Sequence, residues 1–84
     1  MNISFSPEAW EEYLFWQDQN KKTVKKINEL LKAIKRDPFD GIGKPEPLRY
    51  ELSDCWSRRI DQEHRLVYWI EDNTIHLIAC RFHY

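Results

Sequence analysis

A carboxylate, a histidine and a tyrosine stand where this chain could carry out acid–base chemistry on a nucleic acid. Glu46 lies between Pro45 and Pro47, which hold the backbone extended and limit where the carboxylate can point. His83 can donate or accept a proton near neutral pH, and Tyr84 adds a ring that can stack on a nucleobase. Such a set could cleave RNA without a metal ion, because the 2′-hydroxyl is the nucleophile and needs only a base, an acid and charge stabilisation.

Five arginines form the second part of this set, and each lies in a segment that we predict to be a strand: Arg49, Arg58, Arg59, Arg65 and Arg81. A planar guanidinium group matches two phosphate oxygens at once, so the group as a whole predicts a phosphate-binding surface on an open sheet face. For any single arginine an ion-pair lattice remains the alternative, with acidic partners at Asp54, Asp61, Glu63 and Glu71. Glu46 alone could likewise be an ordinary exposed loop carboxylate.

The remaining histidines and cysteines predict no further chemistry. We expect His64 and His76 to be surface residues of strands. Cys80 and His83, with or without His76, match no common four-ligand zinc spacing, so neither a metal site nor a cofactor is predicted. Cys55 and Cys80 are too few and too isolated for a disulfide framework.

A helical hairpin is predicted to follow a short first strand that contains Ile3 and Phe5. Ser6-Pro7 is a helix-start signal, because serine can cap a helix and proline fits its first turn. A second helix begins near Lys21 and ends before Pro38, with its apolar residues at helical spacing. The two helices should meet in a tight link around Asn20.

Strands dominate the rest of the chain, after a proline- and glycine-rich loop over residues 37–47. The predicted strands are Leu48–Leu52, Cys55–Asp61, His64–Glu71 and Thr74–Phe82, separated by short polar links. Consecutive strands with short links predict an antiparallel meander with the helical hairpin on one face. The fold class is therefore α+β, two layers in the order βααββββ, as a single domain over residues 1–84. A strand that continues to the end would hold His83 and Tyr84 in fixed positions.

The charge is nearly balanced overall but strongly uneven along the chain. Thirteen Lys and Arg residues against fourteen Asp and Glu give a net charge of -1, which does not suggest a general nucleic-acid binder. Residues 21–36, however, carry seven Lys or Arg residues and one glutamate, a local net charge of +6. This run is either a solvated helix face or a basic helix that docks on RNA. No segment resembles a secretion signal or a membrane span, so a cytoplasmic location is expected.

Several separated segments resemble one known family. They are KPEPL (44–48), WSRRI (56–60), EHRLVY (63–68), the ending ACRFHY (79–84) and, nearer the start, KKINEL (25–30). Together they resemble the YoeB toxins, which belong to the RelE/ParE superfamily of bacterial toxin–antitoxin systems. The resemblance covers essentially the whole chain. It implies a ribosome-dependent endoribonuclease that cleaves messenger RNA in the ribosomal A site and halts translation.

The resemblance also implies roles for individual residues. Glu46 would be the general base that deprotonates the 2′-hydroxyl, and His83 the general acid for the leaving 5′-oxygen. Arg65 would stabilise the charged transition state, while Arg59 and Tyr84 would position phosphate and base. The products would be a 2′,3′-cyclic phosphate and a 5′-hydroxyl.

Position 49 departs from the family pattern, which usually has lysine there. Arg49 keeps the positive charge but presents a different geometry to the substrate. The partners implied are a cognate YefM-like antitoxin, the 70S ribosome with messenger RNA in its A site, and a second copy of the chain; no membrane partner is expected. We further expect that six lysines contact ribosomal RNA: Lys21, Lys22, Lys25, Lys26, Lys32 and Lys35.

Two other function classes remain open at this point. A ParE-type gyrase inhibitor would share the fold without needing the Glu46, Arg65 and His83 set. A non-catalytic module would use the basic helix and the arginines only to bind RNA or a protein.

Overall fold

A computed structural model describes residues 1–82 as a helical hairpin packed on a five-stranded sheet. His83 and Tyr84 lie outside the described residues. The predicted α+β class and βααββββ order are confirmed. The elements are β1 (Asn2–Phe5), α1 (Pro7–Gln19), α2 (Lys21–Arg36), β2 (Glu46–Pro47), β3 (Trp56–Arg59), β4 (Arg65–Glu71) and β5 (Thr74–Ala79), with a 3₁₀ turn at Tyr50–Leu52 between β2 and β3.

Polar caps set the ends of both helices. The Ser6 hydroxyl accepts a hydrogen bond from the Ala9 amide at 3.1 Å, and Pro7 follows as the first helical residue. Asn20 both ends α1 and caps α2, where its side-chain oxygen accepts from the amides of Lys22 and Thr23 at 3.1 and 3.3 Å. One residue therefore makes the tight link that the sequence predicts. In residues 1–82 no helix is both long and apolar enough to cross a membrane.

The sheet has the order β1-β5-β4-β3-β2. β1 runs parallel to β5, and the other neighbouring pairs are antiparallel. Asp72 and Asn73 form the two-residue turn between β4 and β5, both with φ of 54°, as the tight turns of hairpins require. β2 is consequently an edge strand, and Glu46 lies on it.

The helices cover one sheet face and leave the other largely uncovered. Ile27, Leu30 and Ile34 of α2 are fully buried in one core with Leu66 and Tyr68 of β4. A second, smaller cluster lies on the opposite face, which we call the outer face; it comprises Cys55, Val67 and Ala79 with Leu48, Leu52, Trp69 and Ile78 packed against them. Successive side chains of β4 therefore point alternately into the two clusters, because neighbouring residues of a strand face opposite sides of the sheet.

The predicted strand Leu48–Leu52 is wrong. The strand is shorter and earlier, at Glu46–Pro47, and the chain then turns through the 3₁₀ segment. Tyr50 has a φ of 60°, which no extended strand allows. Leu48 and Leu52 instead fold over the outer face, where the Leu48 amide donates to the Cys55 carbonyl at 2.9 Å. The predicted β3, Cys55–Asp61, is too long by one residue at its start and two at its end, and the predicted β4, His64–Glu71, begins one residue too early.

Arg58 is a structural residue, not a member of a phosphate-binding surface. Its side chain is fully buried on the helix side of β3. The guanidinium donates to the carbonyls of Asp37 and Asp40 at 2.7 and 3.0 Å, to the Ile42 carbonyl at 3.1 Å and to the Tyr68 hydroxyl at 3.0 Å. Burial raises the pKa of the Tyr68 phenol against the opposing effect of Arg58, so the hydroxyl stays protonated and donates to the Pro38 carbonyl at 2.7 Å. The buried arginine therefore fixes the loop that leads to Glu46.

Replacing Arg58 with methionine should destabilise the fold strongly. The change keeps much of the side-chain volume but leaves three carbonyls of the loop without their donor, and each unmade buried hydrogen bond costs about 1–3 kcal/mol. We expect urea denaturation to show a loss of about 3 kcal/mol or more in the free energy of unfolding. The matched control is Arg59→Met on the next, exposed position, which should change stability by less than about 0.5 kcal/mol. Equal losses in the two variants would contradict this account.

Candidate functional site

Glu46, Arg59 and Arg65 share the outer face of the sheet. Glu46 pairs with Ser57 between β2 and β3, and Arg59 pairs with Arg65 between β3 and β4. Directly paired residues project to the same face, and residues two apart on a strand do so as well. Leu66 is buried in the helix-side core, so its neighbour Arg65 faces away from the helices. The strand register therefore brings together three of the predicted site residues.

The spacing suits a group that binds between these side chains. Adjacent strands lie about 4.8 Å apart and each residue adds about 3.3 Å along a strand, so the Cα atoms of Glu46 and Arg65, two strands apart and offset by two residues, are separated by roughly 12 Å. Like charges directly opposite each other, as Arg59 and Arg65 are, destabilise a sheet unless an anion compensates them. Within residues 1–82, neither guanidinium lies within 4.0 Å of a carboxylate. The pair is therefore suited to a phosphate group.

The turn between β3 and β4 orients Arg65. Its Nη1 donates to the Asp61 carbonyl at 2.7 Å and to the His64 carbonyl at 3.1 Å. The Asp61 carboxylate accepts in turn from the amides of Glu63 and His64, at 2.8 and 2.7 Å. The acidic residues of this turn thus shape the backbone rather than form the alternative ion-pair lattice. In the described part of the chain, no Lys or Arg nitrogen lies within 4.0 Å of a carboxylate oxygen, and the nearest comparable contact joins His64 Nε2 to Glu63 Oε1 at 3.6 Å.

The predicted surface of five arginines is wrong, because Arg58 and Arg81 lie elsewhere. Arg58 is buried as described above, and the Arg81 guanidinium lies over the Phe15 ring of α1, 3.7 Å from its centroid. Arg49 is exposed and directly precedes the 3₁₀ turn that folds over the outer face. Of these five arginines, only Arg59 and Arg65 are directly opposite each other on neighbouring strands.

The segment after β5 is held by side chains and by one backbone hydrogen bond to β4, from the Arg65 amide to the Phe82 carbonyl at 2.7 Å. β5 ends at Ala79, so the predicted strand through Phe82 is wrong. The Cys80 amide donates to Glu12 Oε1 at 2.8 Å, and the Cys80 carbonyl accepts from Trp16 Nε1 at 2.8 Å. These two α1 side chains take the places of strand partners. The predictions for His83 and Tyr84 fall outside the described residues.

Two residues near this face were missed or misjudged from the sequence. His64 is only 8% exposed, against the prediction of a surface residue, and its ring packs edge-on against Trp16 with centroids 4.8 Å apart. Ser57 lies between Glu46 and Val67 on the outer face. The alternation of Ser57 with Arg59 along β3 is a signal that could have found it, whereas the burial of His64 depends on residues far away in the chain.

Comparison with known proteins gives the family of this chain. A family model described as the YoeB-like toxin of bacterial type II toxin–antitoxin systems matches residues 5–84. The chain belongs to this toxin family. The toxin is 60% identical to Toxin YoeB from Synechocystis sp., over 100% of this chain and 98% of that protein. Its structure is similar to a YoeB dimer from Staphylococcus aureus (TM-score 0.94, 54% identity) and to a YoeB–YefM complex from the same organism (TM-score 0.93, 55% identity), each over 100% of this chain and 98% of the other.

The basic helix of the toxin lies on the other side of the molecule from Glu46. Five of the six lysines are exposed and Lys26 is half-buried. A groove of about 700 Å³ runs along the helical hairpin, and three lysines contribute to its lining: Lys21, Lys25 and Lys32. None of the residues that line this groove belongs to the outer face, so the lysines and the Glu46, Arg59 and Arg65 set lie on two distinct surfaces.

Cysteine and histidine side chains are dispersed in the toxin. Both cysteines are free thiols, and Cys80 lies in the helix-side core. His76 lies elsewhere and stacks on Trp69, with ring centroids 4.1 Å apart. Residues 1–82 contain no group of three or more His, Cys, Asp or Glu side chains that could hold a metal ion.

The buried Cys80 thiol should make the toxin less stable in alkali. Burial, with a smaller contribution from the Glu12 carboxylate, raises the pKa of Cys80 from 9.0 to about 12. Between these values the unfolded chain loses the thiol proton and the folded chain keeps it, so stability is full below about pH 9 and falls as the pH rises toward 12. Urea denaturation should show a loss of about 1 kcal/mol from this thiol between pH 8 and pH 10.

The matched control for this pH dependence is Cys80→Ala, which retains every other titrating group. Its stability at pH 8 will be lower because a buried side chain is truncated, but its further loss up to pH 10 should be smaller than that of the wild type. Identical losses between pH 8 and pH 10 would show that Cys80 is not the group responsible.

Proposed function

We propose that the toxin is an endoribonuclease that cleaves messenger RNA in the ribosomal A site and thereby stops translation. The observation that supports this most is the common outer face of Glu46, Arg59 and Arg65, with a carboxylate at the sheet edge and two opposed guanidinium groups beside it. Among the described residues, Glu46 and Arg59 are exposed and Arg65 is half-buried, so these side chains are accessible to a substrate.

The proposed reaction is an internal transfer of the phosphate group. Glu46 takes the proton from a 2′-hydroxyl, and that oxygen forms a bond to the adjacent phosphorus. The bond from phosphorus to the 5′-oxygen breaks, and His83 supplies the proton to that oxygen. Arg65 stabilises the additional negative charge, and Arg59 holds the phosphate. The products are a 2′,3′-cyclic phosphate and a 5′-hydroxyl, and the step requires no cofactor.

Two further residues are assigned to substrate positioning. Tyr84 stacks on a base of the messenger RNA, and Arg49 contacts its backbone near Glu46. Arg49 is exposed beside the outer face, which supports a contact with substrate rather than with the core. The whole of residues 1–84 acts as one domain in this proposal.

The proposal includes two protein partners. A YefM-like antitoxin would bind this toxin, and the toxin would form a homodimer, because relatives more than 50% identical to it are found as a YoeB–YefM complex and as a YoeB dimer. The ribosomal target implies that the toxin acts in the cytoplasm.

In this proposal, the lysines of α2 bind ribosomal RNA. A chain of net charge -1 should bind free RNA weakly, so a local basic surface must provide the contact. The surface comprises Lys21, Lys22, Lys25, Lys26, Lys32 and Lys35.

Substituting three groove lysines by glutamine should weaken ribosome binding and reduce its salt dependence. Each phosphate contact contributes nearly one unit to the slope of log affinity against log salt, so the variant K21Q/K25Q/K32Q should lower that slope by roughly 2–3. Binding is measured over a salt titration, and the cleavage rate at saturating toxin is the internal control, which should not change. An unchanged slope would overturn the role of the groove.

One experiment tests the proposed function against its alternatives. The protein is added to a translating extract, and messenger RNA ends are mapped by primer extension. Codon-phased cuts that vanish in Glu46→Ala and in His83→Ala support the ribonuclease. Intact messenger RNA with normal ribosome binding would instead indicate a non-catalytic module, and gyrase-dependent DNA breaks would indicate a ParE-type toxin.

A further inference from the structure

His64 connects the last described residues of the chain to the turn that orients Arg65. Its Nδ1 accepts a hydrogen bond from the Phe82 amide at 2.7 Å, and its ring lies 5.8 Å from the Phe82 ring. Nδ1 must therefore carry a lone pair, which leaves the ring proton on Nε2, the nitrogen nearer to Glu63. The imidazole is a fixed acceptor in this arrangement.

The backbone of His64 is fixed at the same time as its ring. The His64 amide donates to Asp61 Oδ1 at 2.7 Å, and the His64 carbonyl accepts from the Ile60 amide at 3.0 Å and from Arg65 Nη1 at 3.1 Å. A single residue thus contacts both the guanidinium of Arg65 and the segment that follows β5. The contact with Phe82 could not be inferred from the sequence, because His64 and Phe82 are 18 positions apart.

Phe82 has a backbone conformation that needs such support. Its φ is 64°, in the left-handed region that residues with side chains rarely adopt. Two hydrogen bonds hold it there: its amide donates to His64 Nδ1, and its carbonyl accepts from the Arg65 amide at 2.7 Å. Such conformations persist only where the surroundings over-determine them, and they concentrate at functional sites. The Phe82 carbonyl, which is fixed beside Arg65, belongs to the peptide bond that joins Phe82 to His83.

We propose that His64 is a positioning residue for RNA cleavage. Its Nδ1 holds Phe82 in the left-handed conformation and so sets where the chain leaves Phe82 relative to Arg65. His64 touches no substrate in this account and acts through Arg65 and through the residue that follows Phe82. The inference rests on the proposed ribonuclease function.

Two variants separate the acceptor from the bulk of the ring. His64→Asn keeps an acceptor, because the amide oxygen of asparagine takes the place of Nδ1. His64→Leu keeps an apolar side chain of similar reach against Trp16 but has no acceptor. Single-turnover cleavage of ribosomes programmed with messenger RNA, over a range of toxin concentrations, gives the maximal rate and the half-saturating concentration separately.

The expected result is a loss of maximal rate without a loss of binding. His64→Leu should lower the maximal rate by at least about tenfold, since small misplacements of reacting groups have large effects, and should leave the half-saturating concentration within about twofold. His64→Asn should restore the rate to within about threefold of the wild type. A purely structural role would instead reduce thermal stability in both variants and leave the maximal rate per folded molecule unchanged.

Three outcomes would overturn the inference: a wild-type maximal rate in His64→Leu, an equal loss in His64→Asn, or a change confined to the half-saturating concentration. If His64→Leu does not fold, hydrogen exchange of the Phe82 amide in the wild-type protein tests whether this amide is held by His64 Nδ1. Strong protection is expected, and exchange at the rate of an unprotected amide would overturn the contact. A wild-type toxin that cuts no messenger RNA would refute the proposed function itself, which distinguishes that failure from a failure of the His64 variants.

Discussion

Replacing Glu46 with alanine should lower messenger RNA cleavage on the ribosome by about 10²–10⁴-fold, the usual contribution of a general base. The carboxylate lies on the outer face beside Arg59 and Arg65, and it has no part in the core. Its removal should therefore leave folding and ribosome binding intact. The measurement is the single-turnover rate at saturating toxin on ribosomes that carry a defined messenger RNA.

The matched control for Glu46 is Glu51→Ala. Glu51 is also an exposed glutamate and lies in the neighbouring 3₁₀ turn, so it tests whether any loss of negative charge near the outer face has this effect. Wild-type cleavage is expected in this control. If Glu46→Ala also cleaved at the wild-type rate, the base would have to be another residue.

Removing His83 and Tyr84 should abolish cleavage while the fold is retained. Within residues 1–82, Cys80 and Phe82 are held by hydrogen bonds with Glu12, Trp16 and His64, and these bonds involve neither of the deleted residues. Loss of the general acid alone is expected to cost about 10²–10⁴-fold in rate. Cleavage is measured as for Glu46→Ala, and thermal unfolding checks that the midpoint changes little.

The deletion also moves the terminal carboxylate onto Phe82, whose backbone is bonded to Arg65. The double substitution His83→Ala, Tyr84→Ala is the control for this effect, because it keeps the chain length and leaves the carboxylate where it was. Loss of cleavage in both proteins supports a role for the side chains. Loss in the deletion alone would mean that the new charge near Arg65 is responsible, and active protein in both cases would refute the role of the chain end.

The helical half of the fold follows from local signals in the sequence. Ser6 and Asn20 act through hydrogen bonds to residues two or three positions away, and Pro7 acts through its fixed φ in the first helical turn, so their effects can be inferred from the sequence alone. The burial of Ile27, Leu30 and Ile34 follows from helical periodicity in the same way.

The sheet half depends on contacts between distant segments and was predicted less well. Left-handed backbone positions are usually marked in a sequence by glycine or asparagine, but here the residue is Tyr50. The sequence pattern therefore predicted a strand at residues 48–52. Arg58 and Arg59 are adjacent and chemically identical, yet one is buried under the loop and the other exposed. Only the strand register distinguishes them, and a shift of one residue would exchange their faces.

The candidate site was predictable as a set of chemical groups but not as a geometry. Residue types alone indicated a base, an acid and arginines, and Glu46, Arg59 and Arg65 do share one face. The support given to Arg65 and Phe82 comes from one buried residue, His64, whose ring contacts Trp16 and the Phe82 amide and whose backbone carbonyl accepts from Arg65, and no local pattern encodes it.

The most direct test of the central claim is cleavage of a messenger RNA that carries a single 2′-deoxy nucleotide on the 5′ side of the cut position. Ribosomes are programmed with this RNA or with its all-ribose counterpart, and purified toxin is added at saturation. The account predicts cleavage of the ribose RNA to a 2′,3′-cyclic phosphate and a 5′-hydroxyl, and no cleavage at the deoxy position, because the nucleophile is missing. A cut at the deoxy position would contradict it, since the toxin would then have to supply a different nucleophile.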